Sequence, residues 1–159
     1  DPVIFMESAQ LYGDKGEVPE EEYVLPIGVV DVKYIGEGVT NVSFGKILTV
    51  EEKAVDALVQ ENYYCDLIDL RTICPLDMDT ILNSVKKTNR LVILEESWPF
   101  GNISTEITYQ VQSQAFDYLD APVQKINTAD TPAPYSPVLL QEWLPNHGDV
   151  MRAVKKVMN

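Results

Sequence analysis

The sequence predicts an α/β fold in three layers, in which a mostly parallel β-sheet is flanked by helices. The main observation is the stretch 67–94, where an apolar strand at 67–70 is followed by a helix and then by a second apolar strand, Leu91–Leu94. The carboxylate of Asp77 can cap the first turn of that helix, and apolar residues follow at spacings of three and four. Because parallel strands need a long crossover connection, strand, helix and strand at this spacing indicate a parallel sheet.

Two segments precede this stretch and differ in character. Residues 3–7, V-I-F-M-E, have the β-branched and aromatic content of a buried strand, and a loop rich in glycine and acidic residues follows them. We expect residues 1–23 to be the end of one domain, whose remainder lies outside this sequence, together with an interdomain linker. The second domain is expected at 24–159, and it opens with strands at 29–34 and 40–44.

The remaining elements are predicted from capping residues and apolar periodicity. Thr49 and Glu52 have the spacing of a capping box, so a helix is expected to begin there. After Leu91–Leu94 the expected elements are, in chain order, a helix opened by 101–105 and closed near Tyr118, a strand at 121–126, a surface loop at 129–137 with three prolines, and a last helix capped by Asn146 and Asp149.

Length and charge restrict the classes of partner. A chain of 159 residues can bury one sizeable core, and its net charge is −13. That charge argues against nucleic acid and anionic lipid as partners, and it would suit a basic protein. No apolar run approaches the roughly 20 residues of a membrane-spanning helix, so we expect no membrane partner. Cys65 and Cys74 are predicted to be two reduced thiols rather than a disulfide or metal ligands.

Polar residues near the strand ends give little sign of a catalytic site. Arg71, just past the strand at 67–70, could hold an anion or form a structural salt bridge. Glu95 and Glu96 follow another strand end, where α/β sheets bind ligands, but neighbouring side chains in a strand point in opposite directions. His147, the single histidine, is expected to lie on the surface. Taken alone, these residues do not predict an active site, and we expect no metal site.

Five stretches of the sequence match one known pattern in the same order: E-E-E-Y-V-L-P-I-G (20–28), L-I-D-L-R-T-I-C-P-L-D (67–77), S-V-K-K-T-N-R-L-V (84–92), E-E-S-W-P (95–99) and F-D-Y-L-D-A-P-V (116–123). They closely resemble the β subunit of pyruvate dehydrogenase, the thiamine-dependent first component of that multienzyme complex. The resemblance extends over essentially the whole chain and covers the C-terminal half of that subunit. It implies the fold of the transketolase C-terminal domain from residue 24 onward, and it makes residues 1–23 the end of a pyrimidine-binding domain plus linker. The chain departs from the family pattern at Asn41, Gly45, Asn102 and Ser104.

The resemblance implies an assembled enzyme that decarboxylates pyruvate on thiamine diphosphate with magnesium and then acetylates a lipoyl group. It assigns no catalytic, cofactor-binding or metal-binding residue to this chain, because the family's residues of those kinds lie in the other half of the β subunit and in the α subunit. It therefore implies that the chain alone is inactive and binds no cofactor.

The roles that the resemblance implies for this domain are assembly and docking. Assembly would join it to the α subunit and to a second β subunit of the same enzyme. Docking would bind the peripheral-subunit-binding domain of the dihydrolipoyl acetyltransferase core. It would use the acidic residue of the L-D-A-P turn, here Asp120, and the C-terminal end of the subunit, here near Asn159.

Two other functions remain open at this point. The resemblance to branched-chain 2-oxo acid dehydrogenase β subunits is weaker, since L-Y-G (11–13) and F-D-Y-L-D-A-P (116–122) are closer to the pyruvate enzyme. A self-sufficient small α/β enzyme or ligand-binding domain would use the strand ends near Arg71, Glu95 and Glu96. For the pyruvate enzyme, the expected location is the bacterial cytoplasm, or the mitochondrial or plastid matrix of a eukaryote.

Overall fold

One five-stranded sheet organises the computed structural model, which describes residues 2–159. Asp1, part of the segment predicted to end a preceding domain, lies outside the described residues. The strand order is β1-β3-β2-β4-β5, and neighbouring strands are parallel except for the antiparallel pair β1 and β3. The strands are β1 Asp31–Tyr34, β2 Val39–Ser43, β3 Cys65–Asp69, β4 Leu91–Leu94 and β5 Gln124–Ile126.

Helices cover both faces of this sheet, so the predicted three-layer α/β fold is confirmed. One face packs against α2 and α3 through apolar side chains such as Ile81 and Ile107, and the other packs against α1 and α5 through side chains such as Leu58 and Val154. Apolar burial on two faces is the main stabilising term for such a sheet. The helices are α1 Leu48–Gln60, α2 Met78–Thr88, α3 Ile103–Ala115, α4 Pro137–Trp143 and α5 His147–Met158.

Two of the three predicted helix caps are present. The Asp77 carboxylate accepts a hydrogen bond from the amide of Thr80 at 3.1 Å, and α2 begins at the next residue. Asn146 and Asp149 form a complete capping box at the start of α5. The capping box predicted at Thr49 is wrong. A 3-10 turn, Gly45–Ile47, leads directly into α1, and the Thr49 hydroxyl lies inside the first turn, where it donates to the carbonyl of Lys46.

The strand expected at 3–7, as the end of a preceding domain, does not form within residues 2–159. The side chains of residues 3–6 are each more than 80% exposed, and the first regular element is the short 3-10 helix Ala9–Leu11. A segment with strand-like composition needs an unpaired edge to hydrogen-bond with, and within residues 2–159 it pairs with none. The other predicted strands exist: β4 has the predicted bounds, β3 begins earlier than predicted, and β5 begins later. The helix α4 after the proline-rich loop was not predicted.

The strand–helix–strand unit at 67–94 crosses over a third strand. Between β3 and β4 lies β2, which is parallel to both and has all five residues buried. The carboxyl ends of β2, β3 and β4 therefore lie along one edge of the sheet, which holds Arg71, Glu95 and Glu96. Cys65 and Cys74 are both free thiols, and burial raises the pKa of Cys65 to about 12.

One carboxylate is buried in the apolar layer between the sheet and α1. Glu51 is fully buried, and its two carboxylate oxygens have no hydrogen-bond partner in residues 2–159. Desolvation raises the pKa of Glu51 well above its usual value. On strand β2, the amide of Asn41 is fully buried beside the Cys65 thiol, and neither its nitrogen nor its oxygen has an oxygen or nitrogen hydrogen-bond partner within residues 2–159. Both groups reduce the stability of the core at neutral pH.

Candidate partner-binding surface

Asp120 lies in the turn between the 3-10 helix Phe116–Tyr118 and β5. Its backbone amide donates to the carbonyl of Asn89 at 2.9 Å, which attaches the turn to the end of α2. Its side chain is 58% exposed, and one carboxylate oxygen lies 3.3 Å from the guanidinium of Arg90. The carboxylate is thus available to a partner while the backbone that carries it is held in place.

The end of α5 lies beside this turn. Arg90 Nε donates to the carbonyl of Val157 at 2.8 Å, while another nitrogen of the same guanidinium faces Asp120. Asn159, two residues beyond Val157, is exposed. The structure therefore brings Asp120 and the C-terminal residues together, and Arg90 is the side chain that joins them. Sequence reasoning missed Arg90 as a site residue, although it lies in the family-like stretch 84–92, because its partners Asp120 and Val157 are distant in sequence.

A shallow apolar groove adjoins the Asp120 turn. It has a volume of about 520 Å3 and lies between α3 and the segment 119–123. Phe116, which is 64% exposed, forms part of its wall together with Leu119 and Pro122. An exposed carboxylate next to an apolar groove suits a partner segment that carries both a basic and an apolar side chain.

The strand-end residues have structural partners instead. Arg71 forms a salt bridge with Asp31 at 2.7 Å, which is the salt-bridge alternative left open by the sequence. The pKa of Asp31 is lowered by a hydrogen bond from Lys33 and by the charges of Lys33 and Arg71, partly opposed by desolvation.

Glu95 and Glu96 are likewise engaged separately. Buried Glu95 accepts a hydrogen bond from the amide of Ser104 at 2.9 Å and so helps to cap α3, whereas Glu96 pairs with Lys46 at 2.8 Å. Asn102, another departure from the family pattern, caps the same helix through the amide of Thr105. The structure therefore does not combine the strand-end carboxylates into an acid/base pair.

The donor groups of residues 2–159 do not fit thiamine diphosphate or its magnesium ion. Residues 2–159 contain no group of three or more His, Cys, Asp or Glu side chains placed to hold a metal ion. The buried carboxylates are also unsuited to the cofactor's pyrimidine ring, because Glu51 is fully buried and Asp66 is saturated by Gly36, Ser84 and Lys87. His147 is exposed at the start of α5. None of the described helices has the length and apolar composition that crossing a bilayer demands.

The chain matches a known domain family and several curated proteins. Residues 28–150 match the family model described as "Transketolase, C-terminal domain". The chain is 46% identical over 156 residues to "Pyruvate dehydrogenase E1 component subunit beta" of Rickettsia felis, which covers 98% of this chain and 48% of the relative. It is 40% identical over 158 residues to "Acetoin:2,6-dichlorophenolindophenol oxidoreductase subunit beta" of Cupriavidus necator, covering 99% of this chain and 47% of the relative.

The chain spans about half the length of these curated relatives. Among solved structures, "Split gene transketolase, inactive beta4 tetramer" superposes with a TM-score of 0.75 and 22% identity, covering 90% of this chain and 45% of that one. That structural likeness concerns the fold. The resemblance to pyruvate dehydrogenase β subunits inferred from the sequence motifs is confirmed by the relatives. The chain belongs to the transketolase C-terminal domain family.

Proposed function

We propose that this chain is the C-terminal part of a pyruvate dehydrogenase β subunit and that it serves assembly and docking rather than the chemical steps. Residues 24–159 would be the transketolase C-terminal domain, and residues 1–23 would be the end of a pyrimidine-binding domain plus linker. The 46% identity to a pyruvate dehydrogenase β subunit supports pyruvate over a branched-chain 2-oxo acid as the substrate of the whole enzyme. No observation favours the self-sufficient ligand-binding domain, because Arg71, Glu95 and Glu96 are engaged separately.

The whole enzyme would oxidatively decarboxylate pyruvate and acetylate a lipoyl group. Thiamine diphosphate with magnesium supplies the carbanion chemistry of that reaction, and other parts of the enzyme would hold both. Its partners would be the α subunit, a second β subunit and the acetyltransferase core. Its location would be the bacterial cytoplasm, or the mitochondrial or plastid matrix in a eukaryote.

The observation that carries the docking role is the position of Asp120. An exposed carboxylate on a fixed turn, beside the C-terminal residues and an apolar groove, suits the basic peripheral-subunit-binding domain of the acetyltransferase. The chain's net charge of −13 also favours a basic partner. A residue that only formed the turn would contribute to stability but not to affinity.

The test is the substitution Asp120→Asn in the assembled enzyme, with docking to the isolated binding domain measured by calorimetry at low salt. We expect at least tenfold weaker docking, about 1.4 kcal/mol, with little change in melting temperature. Asp130→Asn is the matched control, since Asp130 is an exposed carboxylate in the 129–137 loop. Unchanged affinity for Asp120→Asn would refute the docking role.

A further inference from the structure

We infer that Arg90 is a positioning residue of the docking surface, because it fixes the Asp120 turn and the end of α5 relative to one another. The inference rests on the proposed docking function. A basic partner that contacts both Asp120 and the C-terminal residues meets two segments that are far apart in sequence. Their relative position depends on a connection between them, and the guanidinium of Arg90 provides it.

The geometry uses a property that only arginine has. Three nitrogens of one guanidinium point to three groups: Nε to the carbonyl of Val157 at 2.8 Å, Nη1 to the carbonyl of Thr88 at 3.4 Å, and Nη2 to the carboxylate of Asp120 at 3.3 Å. Arginine presents five N–H donors in a planar, rigid fork. A lysine ammonium has the same charge, but it is a single point at the end of a flexible chain and cannot hold these three groups at once.

The backbone of Arg90 is itself fixed from the interior. Its carbonyl accepts from the amide of Thr40 at 2.9 Å and from the hydroxyl of Thr88 at 3.1 Å. The Thr88 hydroxyl is also 2.7 Å from that of Thr40, which is 2.6 Å from Ser84. Ser84 in turn donates to the buried carboxylate of Asp66. The backbone of Arg90 is therefore held by the sheet and by α2, so its guanidinium can fix the positions of the Asp120 turn and the end of α5.

The charge of Arg90 should weaken docking, whereas its positioning role should strengthen docking, so the two effects can be told apart by experiment. Its positive charge lies beside Asp120 and partly neutralises the carboxylate that a basic partner would bind. If charge alone mattered, removing Arg90 would strengthen docking, and a lysine at this position would behave like the native arginine. If positioning matters, both substitutions weaken docking, because neither side chain can hold Val157, Thr88 and Asp120 together.

The experiment measures docking of the assembled enzyme to the isolated basic binding domain for Arg90→Lys, Arg90→Gln, Asp120→Asn and the double variant Arg90→Gln/Asp120→Asn. We expect both Arg90 variants to bind about three- to tenfold more weakly, and the double variant to lose less than the product of the two single losses. Arg152→Lys is the matched control, since Arg152 is 73% exposed and pairs with Asp149 at the opposite end of α5. We expect its affinity to be unchanged.

Hydrogen exchange gives a readout that is independent of the partner. Arg90→Lys should raise the exchange rate of the Asp120 amide and of the last amides of α5 together, whereas Arg152→Lys should leave both unchanged. Native affinity with Arg90→Lys, or tighter docking with Arg90→Gln, overturns the inference while the docking role of Asp120 stands. If Asp120→Asn leaves affinity unchanged, the proposed function fails and the inference fails with it.

Discussion

The unpaired carboxylate of Glu51 leads to a stability prediction that depends on pH. The side chain lies fully buried between α1 and the sheet, and within residues 2–159 neither carboxylate oxygen has a hydrogen-bond partner. Burial raises the pKa of Glu51 in the folded chain well above the usual 4.5. The substitution Glu51→Gln keeps the shape of the side chain and removes its titration, so it isolates the free-energy cost of the charge.

The direction of the pH dependence follows from whether the folded or the unfolded chain keeps the proton on Glu51. Below pH 4.5 Glu51 is protonated in both the folded and the unfolded chain, so the stabilisation that its raised folded-state pKa provides is fully present. Above pH 4.5 the unfolded chain releases its proton while the folded chain retains it, so the free energy of unfolding falls as pH rises. The fall approaches about 1.36 kcal/mol per pH unit and ends once the pH exceeds the folded-state pKa.

We therefore expect the advantage of Glu51→Gln over the native chain to grow between pH 5 and pH 7, by up to about 2.7 kcal/mol. Urea denaturation at several pH values measures this difference. Glu106→Gln is the control, because Glu106 is an exposed glutamate near the start of α3, and its difference from the native chain should change little. A Glu51→Gln advantage that is constant over this range would refute the reasoning.

Three further predictions follow from groups described above. Asn41→Val, which removes a buried amide without a hydrogen-bond partner in the described chain, should raise the free energy of unfolding by about 1–3 kcal/mol in urea denaturation, and a decrease would show that the amide is satisfied in solution. Asp77→Ala should lower the free energy of unfolding by about 1 kcal/mol, because it removes the α2 cap. Asp79→Ala is the control, since Asp79 is exposed in the same turn. Equal losses of unfolding free energy for the two variants would contradict the capping role. Calorimetric titration of the 159-residue chain with thiamine diphosphate and magnesium should detect no tight binding, and an activity assay should detect no decarboxylation of pyruvate. A micromolar dissociation constant for the cofactor would contradict its assignment to other parts of the enzyme.

Local signals account for the parts of the fold that the sequence predicted correctly. Asp77 and the pair Asn146 and Asp149 cap helices through side-chain contacts within four residues, so their spacing is visible in the sequence. Thr49 shows how the same signal can mislead. The 3-10 turn before α1 moves the helix start upstream of the apparent box. The helix α4 was not predicted because it begins at Pro137, and proline is compatible with the first turn of a helix as well as with a loop.

Contacts between distant segments could not be predicted in this way. Residues 3–7 have strand composition, but a strand exists only where another edge accepts its hydrogen bonds. The resemblance assigned Asp120 and Asn159 to one docking surface, yet the side chain that links Asp120 to the end of α5 belongs to Arg90, which directly precedes β4. Its role depends on how α5 and the Asp120 turn approach β4 in three dimensions.

The central place of β2 has a consequence for how the chain acquires its structure during synthesis. Thr40 pairs with Asp66 on one side and with Leu91 on the other, so its two neighbours leave the ribosome 26 and 51 residues later. Before β3 emerges both edges of β2 are unpaired, and the edge that faces β4 stays unpaired until β4 emerges, so the strand can pair with other nascent chains during this time. The sheet can therefore close only after β4 has emerged, and a translational pause before that point would favour aggregation over folding.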